Sequence, residues 1–179
     1  MKLLIIVFIS FIYTQSLFSQ VILETDTNKV LIDTAFNISS LDYKRVPSVD
    51  TLFMVAKKYL GKHAHLFVAI KIIESGNTNK YSWLALKHNN LCGMRFPKNR
   101  KTYAISKTNS NYAIYRNWFE SILDFKIYIH LIEKKYLSEH KNTPSDVDLI
   151  NYMSTRYNHF DFWKTNMLQL IKMVHKKYD

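Results

Sequence analysis

His65-Leu66-Phe67-Val68-Ala69-Ile70-Lys71-Ile72-Ile73-Glu74-Ser75-Gly76 is the stretch on which the fold turns. Leu66, Phe67, Val68, Ala69, Ile70, Ile72 and Ile73 leave almost no polar face, with Lys71 the one interruption. A helix apolar on nearly every side belongs in the middle of a domain. The spacing predicts a helix from His65 to Glu74 or Ser75, and Gly76 lets the chain turn sharply at its end. That end carries a carboxylate. No other Asp or Glu follows until Glu120.

The flanking sequence organises itself around this helix. Ser48, after Pro47, is a natural N-cap for a preceding helix. Asp50 sits in its first turn, where a negative charge suits the dipole. Leu52, Val55, Ala56 and Tyr59 recur at helical spacing, and Gly61 is a natural stop. After Gly76 come a turn, a short helix around Trp83-Leu84-Ala85-Leu86 and a loop through Asn89-Asn90-Leu91-Cys92-Gly93-Met94. Residues 95–112 are basic and threonine-containing, and read as a short two-stranded hairpin or an irregular arm. From Trp118 the helical period returns and holds until Asn142-Thr143-Pro144-Ser145. Two more helices are predicted, Val147 to Tyr157 and Phe162 to Tyr178.

With 179 residues there is room for one domain with a real core. Only three Gly and three Pro argue against a sandwich or barrel, which needs many tight turns. The fold class read here is mainly α, with a small β-hairpin lobe.

Residues 1–20 read as a secretory signal peptide. Lys2 precedes the apolar run LLIIVFISFIY, and small polar residues follow. An uncleaved anchor is the alternative. Export to the periplasm or outside the cell is the expectation, with membrane contact only through this segment. Residues 21–46 form a linker or extension, and 47–179 the functional domain.

The net charge is +11; without Lys2 it is 24 basic against 14 acidic side chains, or +10. For an exported protein a basic body suits an anionic polymer such as cell wall. A merely solvated basic surface is the plainer reading. No nucleic-acid motif is present, so nucleic acid is not expected as a partner. Cys92 is alone, which removes intramolecular disulfides and thiolate metal sites. His63, His65 and His88 are too scattered to specify a metal site, so none is assigned and no cofactor is expected. No serine or cysteine nucleophile system is supported. A monomer is expected.

Glu74 carries the chemistry if any residue does. Hydrolysis of a glycosidic bond needs an acid that stays protonated near neutral pH until it protonates the leaving oxygen. A carboxyl at the edge of an apolar helix meets that need, because desolvation disfavours its charged form. The plainer reading makes Glu74 only the first polar residue after a buried helix. Asn89-Asn90 equally serve to turn the backbone, since Asn tolerates left-handed conformations. Tyr112 and Tyr115 equally serve as hairpin or core aromatics.

The run from Phe67 to Phe125 resembles the bacterial glucosaminidase domain, the mannosyl-glycoprotein endo-β-N-acetylglucosaminidase family (glycoside hydrolase family 73). The resemblance rests on Glu74-Ser75-Gly76, on Asn89 to Met94, and on Tyr112-Ala113-Ile114-Tyr115 with Ser121 and Asp124 downstream. Arg100-Lys101-Thr102, before the tyrosines, belongs to the same pattern. It implies a lysozyme-like fold and cleavage of the β-1,4 bond after N-acetylglucosamine in peptidoglycan. It further implies Glu74 as general acid and Tyr115 as a second catalytic group across the cleft. Asn90, Tyr112, Ser75 and Gly93 would contact the sugar. Cys92 departs from the usual Phe. A hairpin carboxylate used by some members as base is missing, which favours attack by the substrate's own acetamido group. Asp124 matches a position that looks structural. A glycan-binding module without turnover is the alternative, and an amidase a weaker one.

Overall fold

The computed structural model describes residues 45–76, 81–155 and 161–179. The signal peptide expected at 1–20 and nearly all of the extension expected at 21–46 lie outside them. Among the described residues are six α-helices and one two-stranded sheet. No helix among these residues is long and apolar enough to cross a membrane.

Helix α1 spans Val49–Leu60, and the Ser48 side chain accepts the backbone N–H of Thr51, as its sequence position suggests. Gly61 ends it with φ +58°, a conformation that strains any residue with a Cβ. One 3-10 turn, Gly61–His63, leads into α2, Ala64–Ser75. Leu66, Phe67, Val68, Ala69 and Ile70 on α2 are all at most 1% exposed. Side chains of this size stabilise by about 1.5–3 kcal/mol each when buried, so α2 is the centre of the core. It packs mainly against α1 and against α6, Asp161–Tyr178.

Lys71 does not interrupt this burial. It is itself fully buried. Its Nζ donates to the Gly76 carbonyl at 2.6 Å and lies 4.1 Å from the centre of the Tyr81 ring. Burial pulls its pKa down to about 8. The amine thus ties off the carbonyl just past the end of α2, where no further turn of helix can do so.

Helix α3 is short, Trp83–His88, capped by Ser82 and closed by Asn89 in the left-handed conformation. The hairpin consists of β1, Ser106–Lys107, and β2, Ala113–Ile114, antiparallel with Ser106 opposite Ile114. Arg95 bridges to Tyr112 on the far side of β2, so the segment after the Asn loop adds a partial third strand. Helix α4, Trp118–His140, starts at Asn117, whose side chain accepts from Glu120 N. Helix α5 is Asp146–Ser154, beginning one residue earlier than the spacing predicts. Ser145 and Asp148 form a reciprocal capping box there, which fixes the start at the cap. The helix ends at Ser154 with Thr155 as its cap, short of the expected Tyr157, which lies outside the described residues. Helix α6 begins at Asp161, one residue before the expected Phe162.

Candidate functional site

Glu74 lies in the last turn of α2, half-buried. Its Oε1 accepts the indole N–H of Trp163 from α6 at 2.9 Å. Its Oε2 faces Gly93: a Cβ built on that glycine would lie 3.1 Å from it. Gly93 also has φ +61°, so both backbone shape and space require glycine there. Burial pushes the Glu74 pKa up, partly offset by the Trp163 hydrogen bond. Among the described residues no basic side chain forms an ion pair with it. The result is a carboxyl with one oxygen held by a neutral donor and the other beside bare backbone. Such a group holds a proton more readily than an ordinary surface glutamate.

Cys92 lies beside this carboxyl and is fully buried. Burial raises its thiol pKa well above the usual value, and the Glu74 charge adds to that. The thiol therefore stays protonated and acts as packing rather than as a nucleophile.

The Asn89-Asn90 loop is a clip. Asn90 is fully buried. Its amide nitrogen donates to the carbonyls of Met94 and Ala113, both at 2.9 Å, and its oxygen accepts Met94 N–H at 2.8 Å. Asn90, expected to contact sugar, has its carboxamide turned inward, where it joins the loop to β2. Asn89 Nδ2 donates to the Tyr115 carbonyl, and Ser121 Oγ accepts Leu91 N–H at 3.1 Å. Together these bonds place Gly93 against Glu74.

Tyr115, expected as a second catalytic group, is likewise bonded within the fold. It is 2% exposed, and its hydroxyl donates to Asp124 Oδ2 at 2.8 Å. Burial and the Asp124 charge push its pKa far above normal. Its hydroxyl is thus engaged by Asp124 rather than free. Asp124 is the hub: Arg100 grips both its oxygens at 2.8 and 2.7 Å, and Tyr103 N–H adds a third donor. Thr102 also bonds it, and these donors outweigh burial to hold the Asp124 pKa below its usual value. The Arg100-Lys101-Thr102 segment thus serves to bind Asp124, the structural position expected of it.

Ser75 is 1% exposed and donates to the Lys71 carbonyl at 2.9 Å, so it closes the helix end and has no face for sugar. Tyr112 remains partly exposed on the hairpin, with the Arg95 guanidinium 4.0 Å from its ring centre. Glu120, the other downstream carboxylate, accepts from Arg116 N and Arg116 Nη1. The residue that sequence reasoning missed is Trp163. A buried indole N–H needs an acceptor, yet no pattern in sequence points from it to a carboxyl 89 residues away.

Two surface hollows of about 520 and 490 Å³ lie elsewhere: one is lined by Leu60, His63, Ile129 and Glu133, the other by Ser145, Ile171 and His175. Glu74 lines neither, so the chemistry is located by the carboxyl and its neighbours rather than by cavity size.

Residues 50–177 match the glucosaminidase family model, described as mannosyl-glycoprotein endo-beta-N-acetylglucosaminidase. The chain belongs to the glucosaminidase family. That is a family of glycoside hydrolases, and the mainly α, lysozyme-like fold class with a small β lobe holds for this chain. The crystal structure of the catalytic domain of the autolysin Auto from Listeria monocytogenes is similar, with a TM-score of 0.49 at 17% identity. The match covers 80% of this chain and 97% of that one. Comparison with curated proteins gives no match.

Proposed function

We propose that this glucosaminidase-family domain cleaves the β-1,4 bond after N-acetylglucosamine in peptidoglycan, with Glu74 as general acid. The observation that carries the reading is the paired restraint of that carboxyl. Trp163 donates to Oε1 and burial raises the pKa, so the proton rides on Oε2, the oxygen beside Gly93. From there it passes to the glycosidic oxygen as the C1–O bond breaks. The family's activity, that of an endo-beta-N-acetylglucosaminidase, supports the bond type.

The nucleophile in this reading is the carbonyl oxygen of the substrate's own N-acetyl group. It attacks C1 as the leaving oxygen takes the Glu74 proton; water then opens the cyclic intermediate and returns a proton to Glu74. Two findings support this over a protein base. No acid exists between Glu74 and Glu120, and both Glu120 and Asp124 are bonded to arginines. A charged basic body, +11 overall, suits the anionic wall polymer. Export through residues 1–20 belongs to the same reading.

The absence of a free second carboxylate in that stretch also favours one competitor, a module that binds glycan without cutting it. Purified peptidoglycan separates the two. New reducing ends that disappear with Glu74→Gln support the hydrolase. Wall that is bound but left intact by the wild type supports the module. A substrate whose N-acetyl group is replaced tests the nucleophile: undiminished turnover removes the substrate-assisted step.

A further inference from the structure

The two helices that meet at Glu74 and Trp163 also meet at their other ends. His65 sits in the first turn of α2 and His175 in the last turn of α6, about 13 and 18 Å along the helix axes from Glu74 and Trp163. The helices therefore run antiparallel, and this second junction has its own chemistry. The two imidazoles stack with centroids 4.0 Å apart and planes 15° from parallel. Asp179, just past α6, reaches both. Its Oδ1 lies 2.9 Å from His65 Nε2, and its Oδ2 lies 2.6 Å from His175 Nδ1. One donor atom from each of the three residues falls within 4.8 Å of the others.

His65 Nε2 is the telling atom. The residue is 4% exposed. Despite the nearby carboxylate oxygen, its nitrogen makes no properly directed hydrogen bond. A buried polar atom left so is destabilising. A cation between the nitrogen and the carboxylate would satisfy both.

We infer that His65 Nε2, His175 Nδ1 and the Asp179 carboxylate form a binding site for a divalent transition-metal ion of the zinc class, clamping the start of α2 to the end of α6. Two imidazoles and one carboxylate are a zinc-type donor set, with a fourth position for water. The outer support is also in place. Asp146 Oδ2 lies 3.0 Å from His175 Nε2, so an ion that replaced the hydrogen bond between Nδ1 and Asp179 would find the ring already held from its other side, the usual way a metal-binding histidine is oriented. His175 and Asp179, bonded to each other, have side chains 42% and 57% exposed, so an ion can reach them from the solvent side. The histidines flagged in sequence do not reveal this, because the partners of His65 lie 110 and 114 residues further on.

The test uses the full chain, stripped with chelator and dialysed, then titrated with zinc by calorimetry and followed by thermal melting. One equivalent of zinc is expected, with a rise in Tm that magnesium does not reproduce. His175→Ala and Asp179→Asn, at a half-exposed and an exposed position outside the apolar core, are each expected to weaken zinc binding at least about tenfold. His130→Ala, on the exposed face of α4, is expected to leave it unchanged. No saturable zinc binding to the wild type, or binding that survives either of the first two substitutions, overturns the site.

Discussion

Trp163 Nε1 and Glu74 Oε1 are 2.9 Å apart, joining a tryptophan at the start of the last helix to the carboxyl at the end of the central one. The indole is a neutral donor. It stabilises the ionised carboxylate without pairing it with a charge, so it sets how strongly Glu74 holds its proton. Trp163→Phe removes that donor and keeps an aromatic in place. The Glu74 pKa should then rise further. A general acid works while protonated, so activity falls as pH rises through its pKa. In the variant that basic limb should move to higher pH. A pH–rate profile on solubilised peptidoglycan reads the shift, and an unmoved limb would show that Glu74 is not the acid being titrated.

Glu74→Gln should abolish cleavage, by about 10²-fold or more, while stabilising the domain. The sign follows from linkage. The folded-state pKa of Glu74 lies above the unfolded value of 4.5, so the native state binds the extra proton. Stability is therefore lost as pH rises from the unfolded pKa through the folded one. A permanently neutral Gln escapes that loss. Urea unfolding at pH 7 should show the variant more stable by about 1 kcal/mol, and at pH 4 the two should converge.

Tyr115→Phe separates structure from chemistry. The hydroxyl lost is the one that donates to Asp124, and a hydrogen bond to a charged group contributes about 1.5–3 kcal/mol. Stability should fall by that amount while kcat, measured well below the lowered Tm, stays within about twofold. A large loss of kcat in a folded variant would return Tyr115 to the catalytic group.

Asp124→Asn should be more damaging. It leaves the Arg100 guanidinium, whose side chain is 13% exposed, without its charge partner. Breaking such a pair costs about 3–5 kcal/mol. In the wild type the Asp124 pKa is held low, so its contribution is present above the unfolded value of 3.8 and lost as pH falls through the folded one. Acid titration followed by circular dichroism should show the wild type yielding there, and the variant already weakened at pH 7.

Gly93→Ala should cripple activity out of proportion to its size. The new methyl meets Glu74 Oε2 at 3.1 Å and must adopt φ +61°. A cost of about 1–3 kcal/mol in stability is expected from the backbone alone. The sharper readout is kcat per folded molecule, because the methyl covers the proton-bearing oxygen.

The helical skeleton was legible because it rests on local signals: the Ser48 cap, the Gly61 and Gly76 stops, and the unbroken apolar surface of α2. Glu74 was legible for the same reason, as a carboxyl stranded at the end of that surface. Asn90 and Ser75 were read as sugar contacts and Tyr115 as a second catalytic group. Their motif marks positions that the fold requires, and sequence does not say whether a polar group faces a ligand or another strand. Each proved to be satisfied internally, by Met94 and Ala113, by Asp124, and by the Lys71 carbonyl. Trp163 was invisible because its partner is brought to it only by the packing of α6 on α2. Lys71 was misjudged as a break in the apolar face, since a long side chain reaching back to a carbonyl looks no different in sequence from one reaching to water.

That lysine carries a further consequence. Its folded pKa of about 8 lies below the ordinary lysine value of 10.5, so between those values the unfolded chain binds a proton that the native chain sheds. Unlike most domains, this one should therefore grow firmer in mild alkali, from about pH 8 to about pH 10.5, and at neutral pH it carries a burden that a Met side chain would lift. The tie from Nζ to Gly76 would go with it, leaving a sturdier protein whose acid-bearing helix end is no longer moored.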